Sequence, residues 1–199
     1  DALPKEWEVL LVGRKQAFEG DSALSFEYQT AQKLGIPFVP LTTGRLQRTV
    51  STHTITSLLK IPVGLAQSIK ILTDYKPDVV VTFGGYVVVP VAIAARMMHI
   101  PIVMHEQTLH AGLANKIVSK IANKICISWE YSAQFFPKNK TVLTGNPLRK
   151  EFLEHAYKAP IRSNKKHPLI YITGGSGGSH GINMLVERAL ERLVGKYLV

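Results

Sequence analysis

The sequence predicts an α/β protein built on a parallel sheet, and three observations lead to this fold class. Short runs rich in Val and Ile alternate along the chain with longer segments of helical periodicity. The runs show no strict alternation of apolar and polar residues, which is typical of strands covered by helices on both faces. Gly35-Ile36-Pro37 and His99-Ile100-Pro101 each join a helix to a strand, because proline favours an extended residue before it.

Each strand is predicted where a short apolar run is bounded by turn residues. In chain order, the predicted strands are Glu8–Val12, Phe38–Leu41, Asp78–Thr82, Ile102–His105, Lys124–Ser128, Thr141–Thr144 and Leu169–Thr173. Helices are predicted where apolar residues recur at every third or fourth position. In chain order, they are Ser22–Leu34, Thr54–Tyr75, Val88–Met98, Ala111–Ile121, Tyr131–Phe136, Pro147–Tyr157 and His180–Val194.

A change in composition divides the chain. Residues 159–168 contain Pro, Ser, Asn and several basic residues but no apolar periodicity, which is typical of a linker. We therefore predict an N-terminal α/β domain over residues 1–158, a linker over 159–167 and the start of a second α/β domain over 168–199. The chain opens at Asp1 with neither an initiator Met nor a starting strand, so we expect it to be a fragment or to be cut at its N-terminus.

The composition is that of a globular protein with excess positive charge. Hydrophobic residues make up 46% of the chain, and 24 Lys and Arg against 14 Asp and Glu give a net charge of +10. This excess favours an anionic partner, such as nucleic acid, acidic lipid or a phosphorylated substrate, although solubility alone also explains it. A single cysteine, Cys126, excludes an internal disulfide and favours a reducing cytosol. No run approaches the roughly 18–20 apolar residues of a membrane span.

Two polar loops follow neighbouring predicted strands. Gly84-Gly85-Tyr86 comes after one strand, and His105-Glu106-Gln107 ends the next. Because ligands bind outside the carboxyl ends of parallel strands, these loops predict one site at one edge of the sheet. Glu106 is placed for general-base work or for binding sugar hydroxyls, and alternatively for a hydrogen bond to a neighbouring helix N-terminus. His105 is expected to be a packed histidine.

Glycine-rich turns before helices are candidate anion sites. Such a turn allows close backbone approach, and a helix N-terminus offers unpaired N–H groups. The loop of residues 84–86 and the loop Gly174–Ser179 both fit this pattern, and plain tight turns are the alternative for each. The candidate phosphate-binding glycines of the second loop are Gly174, Gly175, Gly177 and Gly178. Neither a dinucleotide fingerprint nor a Walker loop is present there.

Two further features have both a functional and an ordinary explanation. Arg149 follows Pro147 in the first turn of a predicted helix, where its charge opposes the helix dipole, so a phosphate or acidic partner is expected. Apolar residues on the helix Thr54–Tyr75, with nearby cations, fit a membrane interface carrying anionic lipid, and equally fit a solvated face. The residues concerned are Arg45, Arg48, Lys60, Ile61 and Val63.

These motifs, taken in order, resemble the MurG family of peptidoglycan N-acetylglucosaminyltransferases. The segments that carry the resemblance are Lys76–Val80, Gly84–Val87, Ile100–Val103, His105–Gln107, Gly112–Lys116, Thr144–Arg149 and Gly174–Ser176. The resemblance implies a GT-B fold of two Rossmann-like domains. It implies that the N-terminal domain lacks its first βα unit in this sequence and that residues 168–199 form the first βα unit of the second domain. It implies inverting transfer of GlcNAc from UDP-GlcNAc to the undecaprenyl-linked acceptor lipid I, which gives lipid II. It also implies no metal or other cofactor, no nucleic acid partner, and peripheral docking on the anionic cytoplasmic face of the cell membrane.

The resemblance assigns roles by position. Gly84, Gly85 and Tyr86 match the loop for the acceptor diphosphate, and Glu106 matches a glutamate in the family's cleft, which makes it our candidate catalytic base. The positions that match binding of the UDP-GlcNAc donor are Thr108, Arg149 and Ser176. Thr108 stands where the family usually has Asn, and Gly177-Gly178 stand where Gln-Gly is usual. The family's first glycine loop and most of its donor domain have no counterpart in the sequence, so we expect the chain by itself to be inactive.

Two alternatives to this function stay open. One is a related GT-B transferase that uses another lipid or a small glycoside as acceptor, for which residues 17–48 would be decisive. The other is the membrane-docking subunit of a split transferase, as in the eukaryotic dolichol pathway. From its position at a strand end, we expect Glu106→Gln to depress turnover with little loss of fold.

Overall fold

The computed structural model describes residue 4 and residues 6–16, 23–42, 52–148, 150–156, 167–174 and 179–198. The chain separates into two compact units, Asp1–Pro147 and Leu148–Val199. Residues 157–166, which form nearly all of the predicted linker, lie outside the described residues. The predicted boundaries at 158 and 168 therefore stay predictions.

The first unit contains parallel strands in two sheets, which confirms the predicted fold class. The first sheet pairs β1 (Leu11–Gly13) with β2 (Phe38–Pro40). The second sheet has the order β3-β4-β5-β6, with strands Val80–Thr82, Ile102–Glu106, Lys124–Ile127 and Thr141–Leu143. Most strands are shorter than predicted, because a strand extends only as far as a neighbour pairs with it. In particular, β1 starts at Leu11 opposite Phe38 and not at Glu8.

The helices of the first unit follow the predicted order. They are α1 (Phe26–Leu34), α2 (Thr52–Tyr75), α3 (Val88–Met97) and α4 (Leu113–Ile121). Helix α1 begins after Ser25, whose Oγ accepts a hydrogen bond from the Tyr28 N–H at 3.2 Å, and its C-cap is Gly35 with a φ of 66°. The predicted helix Tyr131–Phe136 is a 3-10 helix at Glu130–Phe135, and a second one spans Lys138–Lys140.

The core of the first unit lies around the two central strands of the larger sheet. Ile102, Met104 and Ile125 are fully buried, and each stabilises the fold by about 2 kcal/mol. They belong to one cluster with small residues of α3, with Val118 of α4 and with Leu72 of α2. This packing fixes β3 and β4 and so fixes the position of the loops that follow them.

The second unit contains α5 (Lys150–Ala156) and α6 (His180–Val194). The predicted bounds of α6 are confirmed, whereas α5 begins at Lys150 and not at Pro147. The predicted strand Leu169–Thr173 was wrong, because Leu169 forms only a single parallel bridge with Leu198. An apolar run becomes a strand only where a neighbour supplies a ladder of hydrogen bonds. Among the described residues, no helix is long and apolar enough to cross a membrane.

Candidate functional site

A cavity of about 350 Å³ lies where β3 and β4 end. Its walls come from the loop after β3, from the end of β4 with the loop that follows, and from the first turn of α4. The lining residues are 83–86, 106–108 and 112–115. The structure thus brings together both polar loops that the sequence placed at one edge of the sheet, with Gly84, Gly85, Tyr86, Glu106 and Thr108 among the lining residues.

Glu106 is the last residue of β4, and its carboxylate is held by four groups of its own chain. Oε1 accepts a hydrogen bond from the Thr108 N–H at 3.0 Å and lies 2.7 Å from the Thr108 hydroxyl. Oε2 accepts hydrogen bonds from the Gly112 N–H at 3.2 Å and from Nδ2 of Asn115 at 2.9 Å. Because Glu106 is only 4% exposed, these contacts replace its hydration.

The hydrogen bonds decide the ionisation of this buried carboxyl. Burial by itself raises the pKa of Glu106, but hydrogen bonds from Asn115, Thr108 and Gly112 outweigh burial and hold the pKa below its ordinary value. A carboxylate with a lowered pKa and engaged oxygens is a weak proton acceptor, so this geometry favours positioning over general-base work. Gly112 is the N-cap of α4, which confirms the alternative of a hydrogen bond to a neighbouring helix N-terminus.

The glycine loop after β3 requires its two glycines. Gly84 has a φ of 95° and Gly85 a φ of 80°, a region that side chains of L-residues rarely enter. A Cβ on Gly84 would also lie 3.3 Å from Nδ2 of Asn115, whereas a Cβ on Gly85 would meet nothing within 4 Å. The backbone of Gly84 is therefore packed directly against the side chain that holds Glu106.

The loop after Glu106 is fixed by the segment that follows β5. Nε1 of Trp129 donates to the Gln107 carbonyl at 3.1 Å. The hydroxyl of Ser132 lies 2.8 Å from the Thr108 carbonyl and 3.2 Å from the Leu109 carbonyl. Trp129 and Ser132 therefore fix the backbone of the loop after Glu106, and this places Thr108 in a defined orientation toward Glu106.

His105 is packed against the loop that follows β6, as its neighbours show. It is 6% exposed, and its Nε2 lies 3.0 Å from the Gly145 carbonyl oxygen, which can only accept a hydrogen bond. Its ring centroid lies 5.9 Å from that of Phe83. The expectation that His105 is a packed histidine is confirmed.

Sequence reasoning missed Asn115 as a site residue. It is 4% exposed, and its Oδ1 has no hydrogen-bond partner among the described residues. The available signal was its position on α4, three residues before the buried Val118 and hence on the same face of the helix. A polar residue on the apolar face of a helix is a candidate for a buried hydrogen bond.

Comparison with known proteins identifies the family. Residues 22–127, which are more than half of the chain, match the glycosyltransferase family 28 N-terminal domain. The chain belongs to glycosyltransferase family 28. Its two glycine-loop residues Gly84 and Gly85 and the carboxylate of Glu106 lie inside the matched segment, so the cavity is part of the family-28 domain.

Relatives confirm the resemblance to MurG that the motifs predicted. The chain is 38% identical to the UDP-N-acetylglucosamine--N-acetylmuramyl-(pentapeptide) pyrophosphoryl-undecaprenol N-acetylglucosamine transferase of Geobacter metallireducens, over 94% of this chain and 49% of that protein. It is 33% identical to the transferase of the same name from Shouchella clausii, over 98% of this chain and 54% of the relative. The family-28 chain thus spans about half the length of these relatives.

Solved structures show the same fold. The chain resembles the crystal structure of Acinetobacter baumannii MurG with a TM-score of 0.56 and 27% identity, over 84% of this chain and 46% of that one. The UDP co-structure of Staphylococcus aureus MnaA gives a TM-score of 0.58 at 15% identity, over 95% of this chain and 60% of the other. The second likeness concerns the fold alone.

Five of the remaining predicted site residues of this family-28 chain lie outside the described residues, namely Arg149, Gly175, Ser176, Gly177 and Gly178. Gly174 is described and exposed, and after the loop the Oγ of Ser179 accepts a hydrogen bond from the Ile182 N–H at 3.4 Å to cap α6. The donor and phosphate-loop roles therefore stay predictions. In the described part of the chain, no group of three His, Cys, Asp or Glu side chains is arranged to hold a metal ion.

Proposed function

We propose that the complete protein carrying this chain is an inverting glycosyltransferase that moves GlcNAc from UDP-GlcNAc to lipid I, giving lipid II for peptidoglycan synthesis. The observation that supports this proposal most directly is the cavity inside the family-28 domain, which is lined by residues 83–86, 106–108 and 112–115. Support comes from the transferases of that name at 38% and 33% identity over nearly the whole chain. In this proposal the cavity binds the lipid-linked acceptor.

The reaction is a single displacement at the anomeric carbon of the donor. A general base takes the proton of the acceptor hydroxyl, whose oxygen attacks that carbon, while the bond to the diphosphate breaks and UDP leaves with the electron pair. Gly84, Gly85 and Tyr86 contact the acceptor diphosphate, since a glycine loop before a helix allows close backbone approach. Thr108, Arg149 and Ser176 contact the donor, and no metal takes part.

Glu106 serves this reaction by shaping the acceptor site. Its carboxylate joins the end of β4 to the N-cap of α4 through Gly112 and to the glycine loop through Asn115. A loop held in this way keeps the acceptor hydroxyl in one orientation, which is worth a large part of a displacement barrier. A direct role as base requires one of its hydrogen bonds to open.

We further propose peripheral docking on the cytoplasmic face of the cell membrane. The net charge of +10 favours an anionic lipid surface. Val63, on the proposed docking helix α2, is 49% exposed. Arg45 and Arg48 lie outside the described residues, and only the backbone of α2 is described at Lys60 and Ile61.

The first experiment is a transfer assay with the full-length protein, labelled UDP-GlcNAc and a lipid I analogue. We expect label in the lipid product, with inverted configuration at the anomeric carbon and undiminished rate in the presence of a metal chelator. Hydrolysis of UDP-GlcNAc without transfer would point to a related transferase with another acceptor. Absence of both transfer and donor binding would contradict the proposal and favour a docking subunit of a split enzyme.

A further inference from the structure

Arg14, which is not a lining residue of the cavity, contacts the lining residue Tyr86. Arg14 follows directly after β1, and its guanidinium carbon lies 5.3 Å from the centre of the Tyr86 ring. β1 belongs to the smaller sheet, whereas Tyr86 follows β3 of the larger sheet. The contact therefore joins the carboxyl ends of strands from both sheets, which is where ligands bind in this class of fold.

The lining of the cavity carries negative charge, so a nearby cation bears on whether it can bind a diphosphate. The described residues that line it contain the ionised carboxylate of Glu106 and no Lys or Arg side chain. A diphosphate placed against the glycine loop would meet this negative charge without a compensating cation from the lining itself. Arg14 supplies positive charge at the rim beside Tyr86.

The guanidinium lies over the Tyr86 ring, a position that suits an arginine that binds phosphate. The attraction between a cation and an aromatic ring favours one placement of the side chain, and the N–H donors of the guanidinium can still bind an anion. These donors match two phosphate oxygens at once, and a side chain already held near one position loses less entropy on binding. The backbone is held as well, because the Ser25 hydroxyl donates to the Arg14 carbonyl at 2.6 Å and the Ser25 N–H donates to the Lys15 carbonyl at 2.8 Å.

We propose that Arg14 is a binding residue for the diphosphate of the lipid-linked acceptor, held for this task by Tyr86. The inference rests on the proposed function, since it takes the cavity as the acceptor site. It assigns Tyr86 a second role, which is to orient a cation. Neither Arg14 nor this contact was among the site residues expected from the sequence.

The neighbouring residue provides a matched control. Lys15 carries the same charge one position later, but its Nζ lies 5.5 Å from the ring centre of Tyr28 on α1. Replacing either cation by Gln removes one positive charge from the same exposed segment. Only Arg14 contacts a residue of the cavity lining, so a general effect of net charge would appear in both variants.

The test uses steady-state kinetics of the full-length protein with a lipid I analogue. For Arg14→Gln we expect the KM for the acceptor to rise about tenfold, as for loss of a charge-assisted hydrogen bond, with the KM for UDP-GlcNAc unchanged. Arg14→Lys should recover part of this loss, and Lys15→Gln should leave both constants unchanged. In a protein that already carries Tyr86→Leu, Arg14→Gln should raise the acceptor KM by a smaller factor than it does in the wild type.

A binding measurement separates this inference from the proposed function. Titration with a short-chain prenyl diphosphate, at saturating UDP, should show about tenfold weaker binding to Arg14→Gln than to the wild type and to Lys15→Gln. Transfer by the wild type with an acceptor KM indifferent to Arg14→Gln would overturn the inference and leave the function standing. Binding that depends on Arg14 in a protein without transferase activity would support Arg14 and overturn the function. Equal weakening of diphosphate binding by Arg14→Gln and Lys15→Gln would also overturn the inference, because it would show only a general attraction between the charges.

Discussion

Asn115 and Glu106 form a buried hydrogen bond that links three segments of the cavity. Nδ2 of Asn115 donates to Oε2 of Glu106 at 2.9 Å, and both side chains are 4% exposed. The same amide packs against Gly84, where an added Cβ would lie 3.3 Å from Nδ2. Movement of α4 would therefore disturb the carboxylate and the glycine loop together.

Glu106→Gln should destabilise the fold as well as lower turnover. The sequence alone predicted little loss of fold, but the carboxylate accepts from Asn115, Gly112 and Thr108. A Gln amide would turn its NH₂ group toward one of these donors, so we expect a loss of about 1–3 kcal/mol in the free energy of unfolding. Denaturant unfolding measures it, with the exposed Glu8→Gln as control. Equal stability of the two variants would show that the hydrogen bonds to the Glu106 carboxylate do not stabilise the fold.

The stability that Glu106 contributes should be lost in acid. Because its pKa is lowered in the folded state, the unfolded chain takes up the proton first as the pH falls. The contribution is therefore complete above the ordinary glutamate pKa and declines as the pH drops through the folded value. The difference in unfolding free energy between wild type and Glu106→Gln should shrink as the pH falls from neutral to below the ordinary pKa of a glutamate. A difference that stays constant over this fall in pH would show that ionisation of Glu106 does not stabilise the fold.

The edge position of the site was predictable from the sequence, because it depends on chain order alone. Gly84 and Glu106 each follow an apolar run, and parallel topology places the ends of such runs side by side. The role of Asn115 was not predictable in this way, since it depends on how α4 is rotated against the sheet. The contact of Arg14 with Tyr86 depends in turn on how two separately paired sheets are placed.

The second unit shows the limit of strand prediction from composition. Leu169–Thr173 has the residues of a buried strand, but its described pairing is one bridge from Leu169 to Leu198. By contrast, α6 carries its own start signal, because Ser179 caps its first turn. Helices can be predicted from local sequence, whereas a strand needs a partner that local sequence does not reveal.

Asn115→Asp should weaken the protein more at neutral pH than in acid. The substitution replaces the donor Nδ2 by an oxygen, so two carboxylates would face each other at the distance of the present hydrogen bond. One of them must take up a proton, which costs stability when protons are scarce. Thermal unfolding at several pH values measures this, and we expect a loss of about 2 kcal/mol or more near pH 7.

Asn123→Asp is the matched control for this substitution. Oδ1 of Asn123 accepts a hydrogen bond from the Ile102 N–H at 2.9 Å, and an aspartate keeps that acceptor. We therefore expect a small effect at position 123 with no increase toward neutral pH. Similar losses at both positions would show that the amide donor of Asn115 is not what holds Glu106.

Gly84→Ala should cost more stability and more activity than Gly85→Ala. Both residues have positive φ, so each alanine pays backbone strain of about 1–2 kcal/mol. Only at Gly84 does the new Cβ also press on Asn115, within 3.3 Å of Nδ2, and through it on Glu106. Gly181→Ala is the control, because Gly181 is not a lining residue of the cavity, has no positive φ and has open space around it. Denaturant unfolding and the transfer assay should rank the variants Gly84→Ala, Gly85→Ala and Gly181→Ala from most to least impaired. Equal losses at 84 and 85 would remove Asn115 as the link between the glycine loop and Glu106.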